Sequence, residues 1–201
     1  MEPKPRERNA ERTRAKILLA ATDLMAQRGS AVSIAEIAEI AGVTKGGVTH
    51  HFPTRDGLLL ATLTEALDNF RQSVEAHLDI TENIPGKMHR AYIRALCGGS
   101  PDAMRFFASF ASWSTVSGTP ELDAKIEADS EVWTKAFAAD GLHPERSMVT
   151  TRAAESVAAT LALVGIPDSE YIVWARTVLL EMTMTPGPLV PEAQITPPAS
   201  A

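Results

Sequence analysis

The stretch Ser33–Phe52, SIAEIAEIAGVTKGGVTHHF, constrains the fold more than any other part of the chain. Ser33 precedes an apolar run, and Glu36 follows three residues later, the spacing at which two side chains cap a helix reciprocally. Ile34, Ile37, Ala38 and Ala41 recur at i, i+3, i+4 and i+7, which puts them on one helical face. Gly42 stands where a left-handed residue readily ends a helix. Val43 fills a turn, and Thr44 can cap a second short helix that begins with Lys45, Gly46 and Gly47. Helix, tight Gly turn, helix is the plan in which the second helix enters the DNA major groove N-terminus first. A Gly turn between helices also occurs in all-helical proteins that bind no DNA, so the flanking residues have to decide.

They extend the pattern on both sides. Upstream, a helix over about Ala10–Arg28 carries Ile17, Ala21, Leu24 and Met25 as its apolar stripe and ends at Gly29. Arg6, Arg8, Arg12, Arg14 and Lys16 lie close together before it, either to follow a DNA backbone or as a solvated helix start. Val43, Val48 and Phe52 are expected to pack inward and close a three-helix head. Downstream, Pro53 disfavours helix just before it and suits the first turn of the next. Thr54 can cap that turn, and Arg55 stands where backbone amides and a guanidinium can grip a phosphate together. Neighbouring residues on a helix point about 100° apart. With no Cys, Asp or Glu at ligand spacing, His50 and His51 therefore imply no metal site. The DNA-facing set is thus Thr44, Lys45, Gly46, Gly47, Thr49 and His50, with Ser33 and Arg55 on phosphates.

The stretch from Thr13 to Leu60 resembles the DNA-binding head of TetR-family transcriptional regulators. The resemblance lies in Arg14-x-x-Ile17, the Ala-x-x-Leu pattern ending at Gly29, and Ile37-Ala-x-x-Ala41-Gly-Val43. Lys45-Gly46, His51-Phe52-Pro53 and Arg55-Asp56-x-Leu58-Leu59 follow at the family's spacings. It covers about a quarter of the chain. Most members carry Tyr where this chain has Thr49, and Thr49 can still donate a hydrogen bond or meet a thymine methyl. The resemblance implies a helical body with a small-molecule site, and a homodimer on a palindromic operator.

The whole chain reads as all-α, about nine helices: a three-helix head and a helical ligand-binding and dimerisation body. Residues 1–9 are expected to be a disordered basic arm, 10–56 the head, 57–185 the body and 186–201 a Pro-rich disordered tail. In the body, Tyr92, Met104, Phe107, Phe110, Trp113, Trp133 and Phe137 are the candidate walls of an apolar effector pocket. Aromatics at helical spacing also make plain core. Ala153, Val157, Leu161 and Val164, with Ile172 and Leu179, form apolar stripes on the last two helices, where a second copy could pack.

Composition narrows the function classes. The net charge of −6 is unevenly spread: residues 1–60 carry nine Lys/Arg against seven Asp/Glu, and the rest carry ten against eighteen. A basic head on an acidic body must bind DNA through the local field of the head. A single cysteine, Cys97, excludes an intrachain disulfide, and no apolar leader or membrane-length run is present, so a cytoplasmic location is expected. No phosphate loop, nucleophile elbow or cofactor motif points to an enzyme. The leading expectation is a repressor that binds double-stranded operator DNA and is released by a small apolar effector. The alternative is a helical adaptor that keeps the head fold without reading an operator.

Overall fold

A computed structural model describes residues 5–116, 119–165 and 169–190. Nine α-helices run along it: α1 (Pro5–Arg28), α2 (Ile34–Ala41), α3 (Lys45–His51), α4 (Arg55–Glu75), α5 (Lys87–Cys97), α6 (Pro101–Val116), α7 (Pro120–Ala139), α8 (Pro144–Val164) and α9 (Glu170–Met184). There is no β-strand among the described residues. The first helix begins at Pro5, not Ala10, so residues 5–9 are helical and not a disordered arm. Proline is tolerated in a first turn, where its missing N–H would have no partner, and Arg and Glu are good helix formers. Residues 1–4 of that expected arm lie outside the described residues.

Contacts divide the chain into two units, and the division is not the one expected at residue 56. The head unit comprises Met1–Arg71 and Pro101–Asp129. Ile17, Leu18, Met25, Val48, Leu58 and Leu63 are its fully buried centre. Trp113 and Leu122 belong to the same core, with Phe106 packed against it. The apolar face of α1 is wider than α2 and α3 can cover, and α6 packs along it as well. Each such side chain contributes roughly 1.5–3 kcal/mol by leaving water. The Trp113 indole N–H donates to the Ser109 hydroxyl at 3.2 Å, so its one polar atom is satisfied inside the core.

The second unit comprises Gln72–Ser100 and Ser130–Ala201. Helix α5 lies at its centre and buries residues on nearly every face, packed by α8 and α9. Gly86 enters α5 in a left-handed turn at φ 91° and offers no side chain to cap it. The cap comes from Asp140, whose carboxylate accepts from the Met88 and His89 backbone N–H groups at 3.0 and 3.1 Å. The same carboxylate is 2.6 Å from Nδ1 of His89, and Nε2 of that ring is 2.7 Å from the Ser147 hydroxyl. Ser–His–Asp in this atomic order is the arrangement of a hydrolase triad. Here the imidazole has no exposed surface, and Asp140 is spent on a helix end, so the row braces α5 against α8.

Two buried arginines do similar work. Arg90 pairs with Glu82 at 2.6 Å and donates to the carbonyl oxygens of Pro85 and Thr183. Arg146 donates to the carbonyl oxygens of Met182, Gly187 and Pro188. Glu145 accepts from the Leu189 and Val190 N–H groups, so the expected disordered tail is held as far as residue 190. The remainder of the tail, 191–201, lies outside the described residues. Cys97 is buried, and burial pushes its thiol up to about 12, which leaves it an unreactive core residue.

The residues expected at a dimer face are mostly turned inward. Val157, Leu161, Ile172 and Leu179 are buried within their own unit, and Ala153 is half-buried. The Val164 side chain lies outside the described residues. The outward faces carry other residues: Leu163 on α8, and Tyr171, Trp174 and Val178 on α9, all exposed. Periodicity located an apolar face on each helix, but α5 covers it.

Candidate nucleic-acid interface

The expected DNA-facing residues come together on one short segment because local caps fix it. The Ser33 hydroxyl accepts from the Glu36 N–H at 3.2 Å, and the Glu36 carboxylate accepts from the Ser33 N–H at 2.9 Å. That is a complete capping box. The Ser33 hydroxyl also donates to Glu36 at 2.7 Å, so its proton is already engaged. These hydrogen bonds from Ser33 hold the Glu36 carboxyl below its usual range, with Arg28 adding to the effect.

Helix α2 stops at Gly42, left-handed at φ 68°, whose N–H and that of Val43 satisfy the last carbonyls. Thr44 then caps α3, its hydroxyl accepting from the Gly47 N–H at 3.0 Å. Val48 is fully buried and seats α3 on the core, and Phe52 is buried just after it. The Arg14 guanidinium lies 5.4 Å over the Phe52 ring, a cation–π contact that ties α1 to the end of α3.

With Val48 pointing inward, Thr44, Lys45, Gly46, Thr49 and His50 are exposed and Gly47 is half-buried. Lys45 and Thr49 are four residues apart and share a face. The Thr49 hydroxyl donates back to the carbonyls of Lys45 and Gly46 at 3.2 and 3.1 Å. It therefore presents a methyl group and lone pairs outward, where a free donor had been expected. At the start of α4, the Thr54 hydroxyl accepts from the Gly57 N–H at 3.0 Å. A Cβ on Gly57 would come within 2.9 Å of that hydroxyl, so a larger residue there would have to displace the cap. Arg55 is exposed, yet its guanidinium also donates to the Val32 carbonyl at 2.6 Å. Arg8, Arg12, Arg14 and Lys16 line exposed positions of α1. Among the described residues no group of His, Cys, Asp and Glu is placed to hold a metal ion.

The effector candidates fall in both units. Met104, Phe107 and Trp113 belong to the head unit, and Trp113 is core. The Phe110 side chain lies outside the described residues. Tyr92, Trp133 and Phe137 belong to the second unit and form a mutual cluster, with ring centroids 5.2–5.6 Å apart. Tyr92 is buried and its hydroxyl donates to Glu155 at 3.1 Å, while Trp133 and Phe137 stay partly open. Arg14, Asp140 and Arg146 are positioning residues that periodicity did not identify. The only signal for Asp140 was its place beside Gly141 at a helix end.

A short polar helix, stood on a three-helix core by one buried valine and preceded by a left-handed glycine turn, defines a helix-turn-helix DNA-binding domain. The model of the bacterial regulatory proteins, tetR family, matches residues 17–62. Residues 17–62 are thus similar to the DNA-binding domain of that family. It is 34% identical over 98 residues to the HTH-type transcriptional regulator BetI of Yersinia pestis, covering 45% of this chain and 46% of that protein. It is 40% identical over 94 residues to an HTH-type transcriptional regulator of Mycobacterium bovis, covering 45% and 50%. The chain thus spans about half the length of the curated relatives it matches. Among solved structures, a transcriptional regulator from Rhodococcus superposes with a TM-score of 0.68 at 20% identity, covering 85% of this chain and 95% of the other. At that identity the likeness concerns the fold. No helix among the described residues is long and apolar enough to cross a membrane.

Proposed function

We propose that the protein is a repressor that binds a near-palindromic operator as a homodimer and is released by a small apolar effector. The observation that carries this is the exposed face of α3 and its cap, with Thr44, Lys45, Thr49 and His50 presented together over the buried Val48. One such helix is short, and a single copy would hold DNA weakly. Two copies related by a two-fold axis would set their α3 helices in successive major grooves, roughly 34–36 Å apart. The outward Tyr171, Trp174 and Val178 of α9 support this, because large apolar side chains clustered on one exposed helix face favour a partner. Val178 lies seven residues after Tyr171, two helical turns along the same face.

The effector meets the Tyr92, Trp133 and Phe137 cluster, whose partly open rings offer an apolar wall with a hydroxyl at its edge. Its coupling to DNA is reciprocal: operator weakens effector binding by the factor with which effector weakens operator binding. The test is selection of bound duplexes from random DNA with the purified protein. Enrichment of a two-fold-symmetric site supports the proposal. Binding with no enriched sequence contradicts it and favours an adaptor role.

A further inference from the structure

Helices α1, α4 and α6 leave a small open cleft in the head unit, with a volume of about 50 Å³. One side is apolar: Leu19, which is 47% exposed, faces Ala66 and Phe106. Phe106 is held in place by stacking on Phe70, with centroids 4.9 Å apart. The other side is acidic. Arg105 lines the cleft, but its guanidinium is already shared between Asp23 at 3.3 Å and Asp102 at 3.1 Å. Glu65 and Asn69, one turn apart on α4, are half-buried in the wall, and neither has a hydrogen-bond or ion-pair partner among the described residues. Taken together, Asp23, Glu65, Asp102 and Arg105 leave two negative charges around an apolar groove. Arg105 is committed to Asp23 and Asp102, and Glu65 has no cation of its own among the described residues.

We propose that this cleft binds a short primary alkylamine. Its ammonium group donates to the Glu65 carboxylate and the Asn69 side-chain oxygen, and its methylene stem lies on Leu19 and Phe106. Both halves of the match are needed. A carboxylate ligand would be repelled by Glu65 and Asp102, and a neutral alcohol would leave the Glu65 charge uncompensated. Size sets a further limit. A water molecule needs roughly 10–15 Å³ of such volume, so the cleft seats only about three or four non-hydrogen atoms before the ligand emerges at its mouth. Such a site is independent of whether the protein reads an operator, and of the apolar effector proposed above.

The experiment is saturation-transfer NMR on the full chain with n-propylamine, propan-1-ol and propionate in turn. Propylamine is expected to bind saturably in the millimolar range, and the other two are not. Glu65→Gln keeps the shape and removes the charge, and it should weaken propylamine by about tenfold, as loss of a charged hydrogen-bond partner does. Ala15→Leu, on the exposed rim of α1, should fill the cleft and abolish binding. Circular dichroism checks that each variant folds, and if Ala15→Leu does not, Glu65→Gln alone decides. Equal binding of propylamine to wild type and Glu65→Gln, equal affinity for propan-1-ol, or no saturable binding of propylamine would each overturn the proposal.

Discussion

The Arg55 guanidinium donates to the Val32 carbonyl at 2.6 Å, which ties the first turn of α4 to the segment that leads into α2. One side chain thus braces the head while staying exposed at the start of α4, where the proposed interface would meet a phosphate. Arg55→Ala should lower unfolding stability in urea by about 1–2 kcal/mol. It should also weaken all duplexes alike and flatten the salt dependence of binding by about one charge. A fall in stability with an unchanged salt slope would make Arg55 a brace only.

Thr49 makes a separable prediction. Its hydroxyl already donates to α3's own carbonyls, so its methyl is what remains for a base edge. Thr49→Val keeps the methyl and should change operator affinity by less than about 1 kcal/mol. Thr49→Ser removes the methyl and should cost more than Thr49→Val. Fluorescence anisotropy on a selected operator measures both, and the reverse order would show that the hydroxyl turns toward DNA in the complex.

Much of the head was legible because its signals are local. The Ser33–Glu36 box, the Gly42 stop and the Thr44 cap act over three or four residues, and each appears as the spacing implied. Long-range contacts were not legible in the same way. Asp140 caps α5 from about fifty residues away, and nothing in its neighbourhood in sequence points there. Trp113 lies in the head core, and an aromatic stripe states that a face is covered, not by what. Val157 and Leu161 show the same limit: a stripe buried within its own unit has the same period as one that meets a second subunit.

The Asp140 network gives a stability prediction with a defined pH window. Burial alone would raise this carboxyl. Hydrogen bonds from the His89 ring and from the Met88 and His89 amides outweigh it and hold the carboxyl below its usual range. A carboxyl lowered by folding stabilises the protein above its unfolded pKa and loses that contribution as pH falls through the folded value. Asp140→Asn should therefore cost about 1–3 kcal/mol at neutral pH. The gap between variant and wild type should shrink below about pH 4. Urea titrations at neutral and acidic pH measure this, and a gap that widens on acidification would contradict it.

The subunit contact is tested by comparing an outward with an inward residue. Trp174→Glu places a charge on an exposed face and should yield folded monomers by sedimentation. Leu161→Glu buries a charge inside the second unit and should unfold it instead, since an unpaired buried charge costs several kcal/mol. Dimers that survive Trp174→Glu would move the interface away from this part of α9.

The central claim is that the exposed first turn of α3 reads DNA sequence, and Lys45 is its one cationic side chain. The most direct measurement is the ratio of affinities for a selected operator and a scrambled duplex at one salt concentration, for wild type and Lys45→Ala. If Lys45 contacts a base, the variant should lose about 1–3 kcal/mol on the operator and much less on the scrambled duplex, so the ratio collapses. An unchanged ratio, with both affinities lowered together or neither lowered, would contradict sequence recognition by this helix.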